Sequence, residues 1–180
     1  KFAGLVGFTS SFDIDNGINE KLLRKIIAHK KYDRQDDPLK LIMKANRKHV
    51  RSGKRISEVA QGIAGNENDP KLIVEAVRKL KQRKRQLNVM DFDDLLFHFY
   101  TMLRKDREVM DAVLADYTHL VADEFQDTTG IQWRITKLLI AAGIRFLGAG
   151  DPYQTIHRYA GASFKRFDQL EALKGCQAFE

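Results

Sequence analysis

Thr118-His-Leu-Val-Ala-Asp-Glu-Phe-Gln-Asp-Thr128 decides the architecture, because a short apolar run stops abruptly on two carboxylates. The run from Thr118 to Ala122 predicts a buried strand, with Asp123 and Glu124 at its carboxyl end. After it, Thr129 to Ala142 sets Ile131, Ile135, Leu138 and Leu139 at helical spacing, with Gly143 as the stop. Ile144-Arg-Phe-Leu-Gly-Ala149 predicts a second strand, ending in Gly150-Asp151. Strand, helix and strand over about thirty residues make a βαβ unit, so the strands are expected to be parallel with a right-handed crossover. Ligands of such sheets bind beyond the carboxyl ends of the strands, where these acids stand. An apolar strand running into Asp-Glu suits nucleotide hydrolysis. Asp123 can hold a magnesium ion through water, and Glu124 can orient or deprotonate an attacking water. Adjacent acids also mark plain strand exits, so the dipeptide alone leaves both readings open.

Upstream, Asp91-Phe-Asp-Asp94 opens an amphipathic helix with Phe92, Leu95, Leu96, Phe99 and Leu103 inward, its acids favoured by the helix dipole. Asp106 caps a short helix burying Val109, Met110, Val113 and Leu114; downstream, Ser163 caps a last helix through Phe167, Leu170 and Leu173. Residues 1–88 read as helices throughout. Leu22, Leu23, Ile26 and Ile27 share one face of Glu20 to Lys30. Asp37-Pro38 and Asp69-Pro70 are helix starts, and Ile56, Val59, Ala60 and Ile63 repeat at i, i+3, i+4 and i+7 until Gly62 or Gly65. Leu72, Ile73, Ala76, Val77 and Leu80 form the stripe after Pro70. The expected organisation is therefore helix-rich α/β, with a helical subdomain over 1–88 and the strand-bearing part over 89–180.

The chain of 180 residues is 43% hydrophobic and 31% charged, which argues against disorder and fits one ordinary domain or two small ones. No apolar run approaches the ~18–20 residues of a membrane span. The single cysteine, Cys176, excludes an intramolecular disulfide and fits a reducing, cytoplasmic compartment. Lys1 in place of Met, with no leader pattern, predicts an internal piece of a longer protein. Charge is uneven: residues 1–88 carry 21 Lys and Arg against 10 Asp and Glu, whereas residues 89–180 carry 10 against 14. Lys79-Leu-Lys-Gln-Arg-Lys-Arg85 holds five cations in seven residues. Lys81, Arg83 and Arg85 either track nucleic-acid phosphates or decorate a solvated helix end favoured by the dipole. The histidines show no Cys/His zinc spacing, there is no G-x-S-x-G elbow, and Trp133 reads as a packing anchor.

Val121-Ala-Asp-Glu-Phe-Gln-Asp-Thr128, followed by Gly148-Ala-Gly-Asp-Pro-Tyr-Gln-Thr-Ile-His-Arg-Tyr-Ala-Gly-Ala162, resembles two consecutive motifs of the UvrD/Rep family of superfamily 1 DNA helicases. Asp91-Phe-Asp-Asp-Leu-Leu96 resembles the segment that precedes them, and Phe12-Asp-Ile-Asp15 looks like the entry into that family's inserted helical subdomain. The likeness spans most of the chain, with its specificity concentrated in 91–162. It implies part of a RecA-like (P-loop NTPase) parallel sheet joined to an all-helical subdomain.

The same resemblance implies ATP and Mg²⁺ as cofactors, and single-stranded and duplex DNA as partners beside the remaining helicase domains. Asp123 would be the magnesium-associated acid and Glu124 the catalytic carboxylate. Gln154 would reach the γ-phosphate, with Asp151 in the same motif. His157 and Tyr159 stand at positions that stack on single-stranded bases. For Tyr159 the alternative is ordinary packing, for His157 a plain surface, and Arg158 either touches phosphate or is solvated. Ala160 replaces the usual Arg, which puts the coupling of hydrolysis to movement in question.

No G-x-x-x-x-G-K-[ST] occurs, since Gly53-Lys54 is followed by Arg55. Without that phosphate cradle, and without the arginines of a second RecA-like domain, this piece is not expected to turn over ATP alone. The resemblance implies that the parent translocates 3′ to 5′ on single-stranded DNA. The rival expectation is a non-enzymatic basic module, binding DNA or a partner, that keeps a degenerate helicase-like remnant.

Overall fold

Asp37-Pro38 and Asp69-Pro70 both open helices in the computed structural model, which describes residues 3–9, 11–28, 37–65, 69–151, 165–173 and 175–177. The Asp37 side chain accepts from the backbone N–H groups of Leu39 and Lys40, and Asp69 accepts from Lys71. Each cap is worth about 1 kcal/mol, and proline at the first helical position loses no hydrogen bond. The chain divides into two compact units, 1–99 and 100–180.

The first unit holds α1 (Ile18–Ile27), α2 (Pro38–Ser52), α3 (Ile56–Ala64) and α4 (Pro70–Gln86). Gly65, at φ 61°, terminates α3. Leu22, Leu23, Leu39, Ile42, Ala76, Val77 and Leu80 fill one core, and Ala45, Val59, Ala60, Ala64 and Ile73 a second. The expectation of helices alone fails here. Asp13–Ile14 (β1) pairs in parallel with Val89–Met90 (β2), in register Asp13 to Val89. Two-residue strands carry no periodicity to read, so side chains reveal them instead. Asn88 takes the left-handed conformation at φ 53°, which asparagine tolerates, and donates to Thr9 Oγ1 at 2.7 Å and the Ser11 carbonyl at 2.9 Å.

Phe92–Lys105 (α5) begins in the first unit, and its inward face differs from the expected one at the first turn. Phe92 is 58% exposed, whereas Asp91 and Asp94 are buried. They form a reciprocal cap: the Asp94 N–H donates to Asp91 Oδ1 at 2.7 Å and the Asp91 N–H to Asp94 Oδ2 at 3.1 Å. Both carboxylates close on the Lys84 ammonium, itself 2% exposed. Leu103 is buried and Leu95, Leu96 and Phe99 are half-buried as expected, so only at the first turn does the ion cluster take the inward place expected of Phe92.

The second unit holds Arg107–Asp116 (α6), His119–Ala122 (β3), Gly130–Ala141 (α7), Arg145–Gly148 (β4) and Lys165–Glu171 (α8). Asp106 caps α6, and Thr129 with Gln132 forms a capping box on α7. β3 and β4 are parallel, from His119 opposite Arg145 to Ala122 opposite Gly148, with α7 as the crossover. The fold is thus helix-rich α/β with short parallel strands, part of a RecA-like arrangement. Burial of these strands on both faces is not observed. Val121 and Leu147, opposite each other, are 65% and 60% exposed, because the described residues cover one face only. No described helix is long and apolar enough to cross a membrane.

Candidate active site

Hydrogen bonding between β3 and β4 continues past their formal ends. The Ala149 N–H donates to the Ala122 carbonyl at 2.8 Å, and the Phe125 N–H to the Ala149 carbonyl at 2.9 Å. The chain after β3 is therefore laced to the chain after β4, and this brings Asp123, Glu124 and Asp151 to one rim.

Phe125 anchors that rim. Fully buried, it meets the rings of Trp133, Phe146 and Phe167 at 5.6, 5.5 and 5.2 Å between centroids. Its burial is worth roughly 1.5–3 kcal/mol and drives the chain into the 3₁₀ turn Phe125–Asp127 directly after the acids. Glu124 opens this turn in the left-handed conformation, φ 50° and ψ 44°, a costly choice for a non-glycine residue at about 1–3 kcal/mol. The Glu124 N–H donates to Asp123 Oδ1 at 2.9 Å. Both acids remain exposed beyond the strand ends.

Gln126, given no role of its own from the sequence, bridges Glu124 and Asp151 at 1% exposure. Its Nε2 donates to Glu124 Oε2 at 2.5 Å, and its Oε1 accepts from the Asp151 N–H at 3.1 Å. The available signal was a polar residue one place after the buried Phe125, within a turn too tight to expose it.

Among the described residues no group of three or more His, Cys, Asp or Glu could hold a metal by itself. The rim nevertheless fits magnesium, which is commonly held by one or two carboxylates while water and substrate phosphates complete its shell. Asp123 is the carboxylate at the strand end suited to that role. Gln154, His157, Arg158, Tyr159 and Ala160 lie outside the described residues, as does Ser163.

The basic run on α4 separates into different environments. Arg83 and Arg85 are exposed; Arg83 Nη1 donates to Gln86 Oε1 at 3.0 Å, and the Arg85 side chain lies over Gly7. Lys81 is half-buried, unlike Arg83 and Arg85. Its Nζ is 2.6 Å from His49 Nε2 and 4.3 Å from the centre of the Phe97 ring. His49 Nδ1 is 2.6 Å from the Lys54 carbonyl, which only accepts, so Nδ1 carries the proton and Nε2 accepts from Lys81. Burial, with the Lys81 charge second, lowers the His49 pKa to about 4; burial lowers that of Lys81 to about 8. Lys84, counted in the sequence among the surface cations, is the buried partner of Asp91 and Asp94.

Residues 3–174 match the family described as UvrD/REP helicase N-terminal domain. The chain is 33% identical over 121 residues to the ATP-dependent DNA helicase srs2 of Schizosaccharomyces pombe, covering 64% of this chain and 13% of that protein. It is 37% identical over 75 residues to the ATP-dependent DNA helicase Rep of Escherichia coli K12, covering 42% of this chain and 11% of that protein. Similarity to the ATP-dependent DNA helicase UvrD2 of Mycobacterium bovis is 30% identity over 113 residues, 59% of this chain and 16% of that protein. The chain thus spans only a small part of the length of these relatives.

Proposed function

The chain belongs to the UvrD/REP helicase N-terminal domain family, and on that premise we propose that it supplies the hydrolytic carboxylates of an ATP-dependent DNA helicase. The observation that carries this reading is the common rim: Asp123, Glu124 and Asp151 stand together at the carboxyl ends of two hydrogen-bonded parallel strands. A magnesium ion bound there with ATP would offset charge on the phosphates, and Asp123 would hold it. Glu124 orients the attacking water and takes its proton. Gln154 contacts the γ-phosphate, with Asp151 fixing the start of its segment. Tyr159 and His157 stack on single-stranded bases, Arg158 touches phosphate, and Arg83 and Arg85 bind the DNA backbone from the helical unit.

No G-x-x-x-x-G-K-[ST] string lies in these 180 residues, so on this reading turnover belongs to a full-length protein that moves 3′ to 5′ on single-stranded DNA. In that protein, Glu124→Gln is expected to lower DNA-stimulated ATPase by at least ~10²-fold while ATP binding persists. Unaltered turnover in the variant removes Glu124 from the chemistry. A wild-type protein that binds DNA without any ATPase supports a non-enzymatic binding module instead.

A further inference from the structure

Gln126 has one place in this fold where its amide can be satisfied. A buried primary amide is costly unless both its ends find partners. The Glu124 carboxylate only accepts and the Asp151 peptide N–H only donates, so the orientation of the amide is forced: nitrogen to Glu124, oxygen to Asp151. The side chain spans the gap between the segment after β3 and the segment after β4.

Gly150 makes room for that span. A Cβ there would lie 2.2 Å from Gln126 Oε1 and 2.8 Å from the Phe125 backbone nitrogen. The first contact is closer than any real Cβ contact and the second involves main chain, which cannot swing aside. A side chain at 150 and the Gln126 bridge are mutually exclusive.

Glu124 needs such a brace. Its left-handed backbone is a strained conformation that its surroundings must impose, and its carboxylate projects from a rim exposed to solvent. Gln126 takes Oε2, and on the hydrolytic reading Oε1 is the oxygen for a reacting water.

We infer that Gln126 is the positioning residue of this site: it holds the Glu124 carboxylate in aim and ties it to the strand end from which the Gln154 segment departs. This rests on the hydrolytic reading of Glu124 given above. On this inference Gln126 acts through Glu124 and through Asp151.

Two variants of the full-length protein separate the two arms of the bridge. Gln126→Met keeps the volume of the side chain and removes both hydrogen bonds. Gln126→Glu keeps an acceptor for the Asp151 N–H but sets a negative charge against Glu124. Both are expected to lower kcat for DNA-stimulated ATP hydrolysis by roughly 10–100-fold, with KM for ATP changed by less than about twofold. In single-turnover measurements, adding Gln126→Met to Glu124→Gln is expected to cost nothing further, because the positioning residue has lost the group it positions. Hydrogen exchange at the Asp151 amide is expected to accelerate in Gln126→Met and to stay near wild type in Gln126→Glu. This last readout does not depend on turnover, so it decides the bridge even if the full-length protein proves not to be an ATPase. Wild-type kcat in Gln126→Met, a full additional loss in the Glu124→Gln background, or an unchanged Asp151 exchange rate in Gln126→Met overturns the inference.

Discussion

Replacing Lys84 with Met removes one ammonium and almost no packing volume, which isolates the energetics of the buried ion cluster. Lys84 Nζ lies 3.0 Å from Asp91 Oδ2 and closer still to Asp94 Oδ2, and all three side chains are nearly out of solvent. Asn19 Nδ2 also donates to Asp91. Burial pushes the Asp91 carboxyl up, but Lys84 and its hydrogen bonds outweigh that and hold it below the usual range. Asp94 is pushed up by burial despite Lys84, with the Asp91 charge adding to the rise.

Without the ammonium, two adjacent carboxylates remain buried and uncompensated, a loss of about 3–5 kcal/mol. With a urea slope near 2 kcal/mol per M, the unfolding midpoint is expected to fall by about 2 M. Far-UV circular dichroism is the suitable probe, because α1 to α4 dominate the first unit while Trp133 lies in the second. The deficit has a predicted pH sign. In the variant both carboxyls titrate above their unfolded values, so the folded state binds protons that the unfolded state releases, and stability declines as pH rises from about 4. The gap to wild type is therefore small near pH 4 and widest at neutral pH. Converting both acids to Asn in the Lys84→Met background is expected to recover much of the loss, since Asn keeps the cap without the charge. A midpoint within about 0.3 M of wild type at pH 7 refutes the argument, because so small a shift amounts to less than 1 kcal/mol.

Acid sensitivity provides a second test. His49 is 6% exposed and its pKa falls from 6.5 to about 4, so between those values the unfolded chain binds a proton that the folded chain refuses. Stability is complete above pH 6.5 and erodes towards pH 4, by about 3 kcal/mol for this residue; His49→Gln is expected to flatten that slope in urea titrations across the window, and an identical slope contradicts the assignment. On the DNA side, Arg83→Glu with Arg85→Glu is expected to weaken binding by the full-length protein and to reduce the log–log salt slope by about 2. Lys81→Gln changes that slope little, since its ammonium is committed to His49; equal effects from all three positions count against the division of the basic run.

Where local chemistry dictates structure, the sequence was sufficient. Asp37, Asp69 and Asp106 each cap the helix they precede, as their place before an apolar stripe predicts, and the switch from helical spacing to a short apolar run located β3 and β4. Apart from the β1–β2 pair, too short to carry a period, its misses in burial share a cause: hydrophobic patterning assigns burial to apolar side chains and exposure to charged ones. Phe92 and Asp94 exchange those roles because the Lys84 ammonium pairs with both the Asp91 and the Asp94 side chains inside the first unit. Lys84 was hidden among cations of identical composition, and only long-range pairing distinguishes it. Val121 looked buried because its strand is apolar, yet no described residue covers that face. Gln126 was visible within the Asp-Glu-Phe-Gln-Asp string, but its task depends on the Asp151 backbone, 25 residues later.

The most direct test of the central claim is a crystal structure of the full-length protein with Mg²⁺ and a non-hydrolysable ATP analogue. It is expected to place the triphosphate at the rim beyond β3 and β4, with Asp123 linked to the metal through water, Glu124 at the attacking water and Gln154 at the γ-phosphate. A triphosphate bound elsewhere, or these three side chains turned towards separate surfaces, contradicts the account.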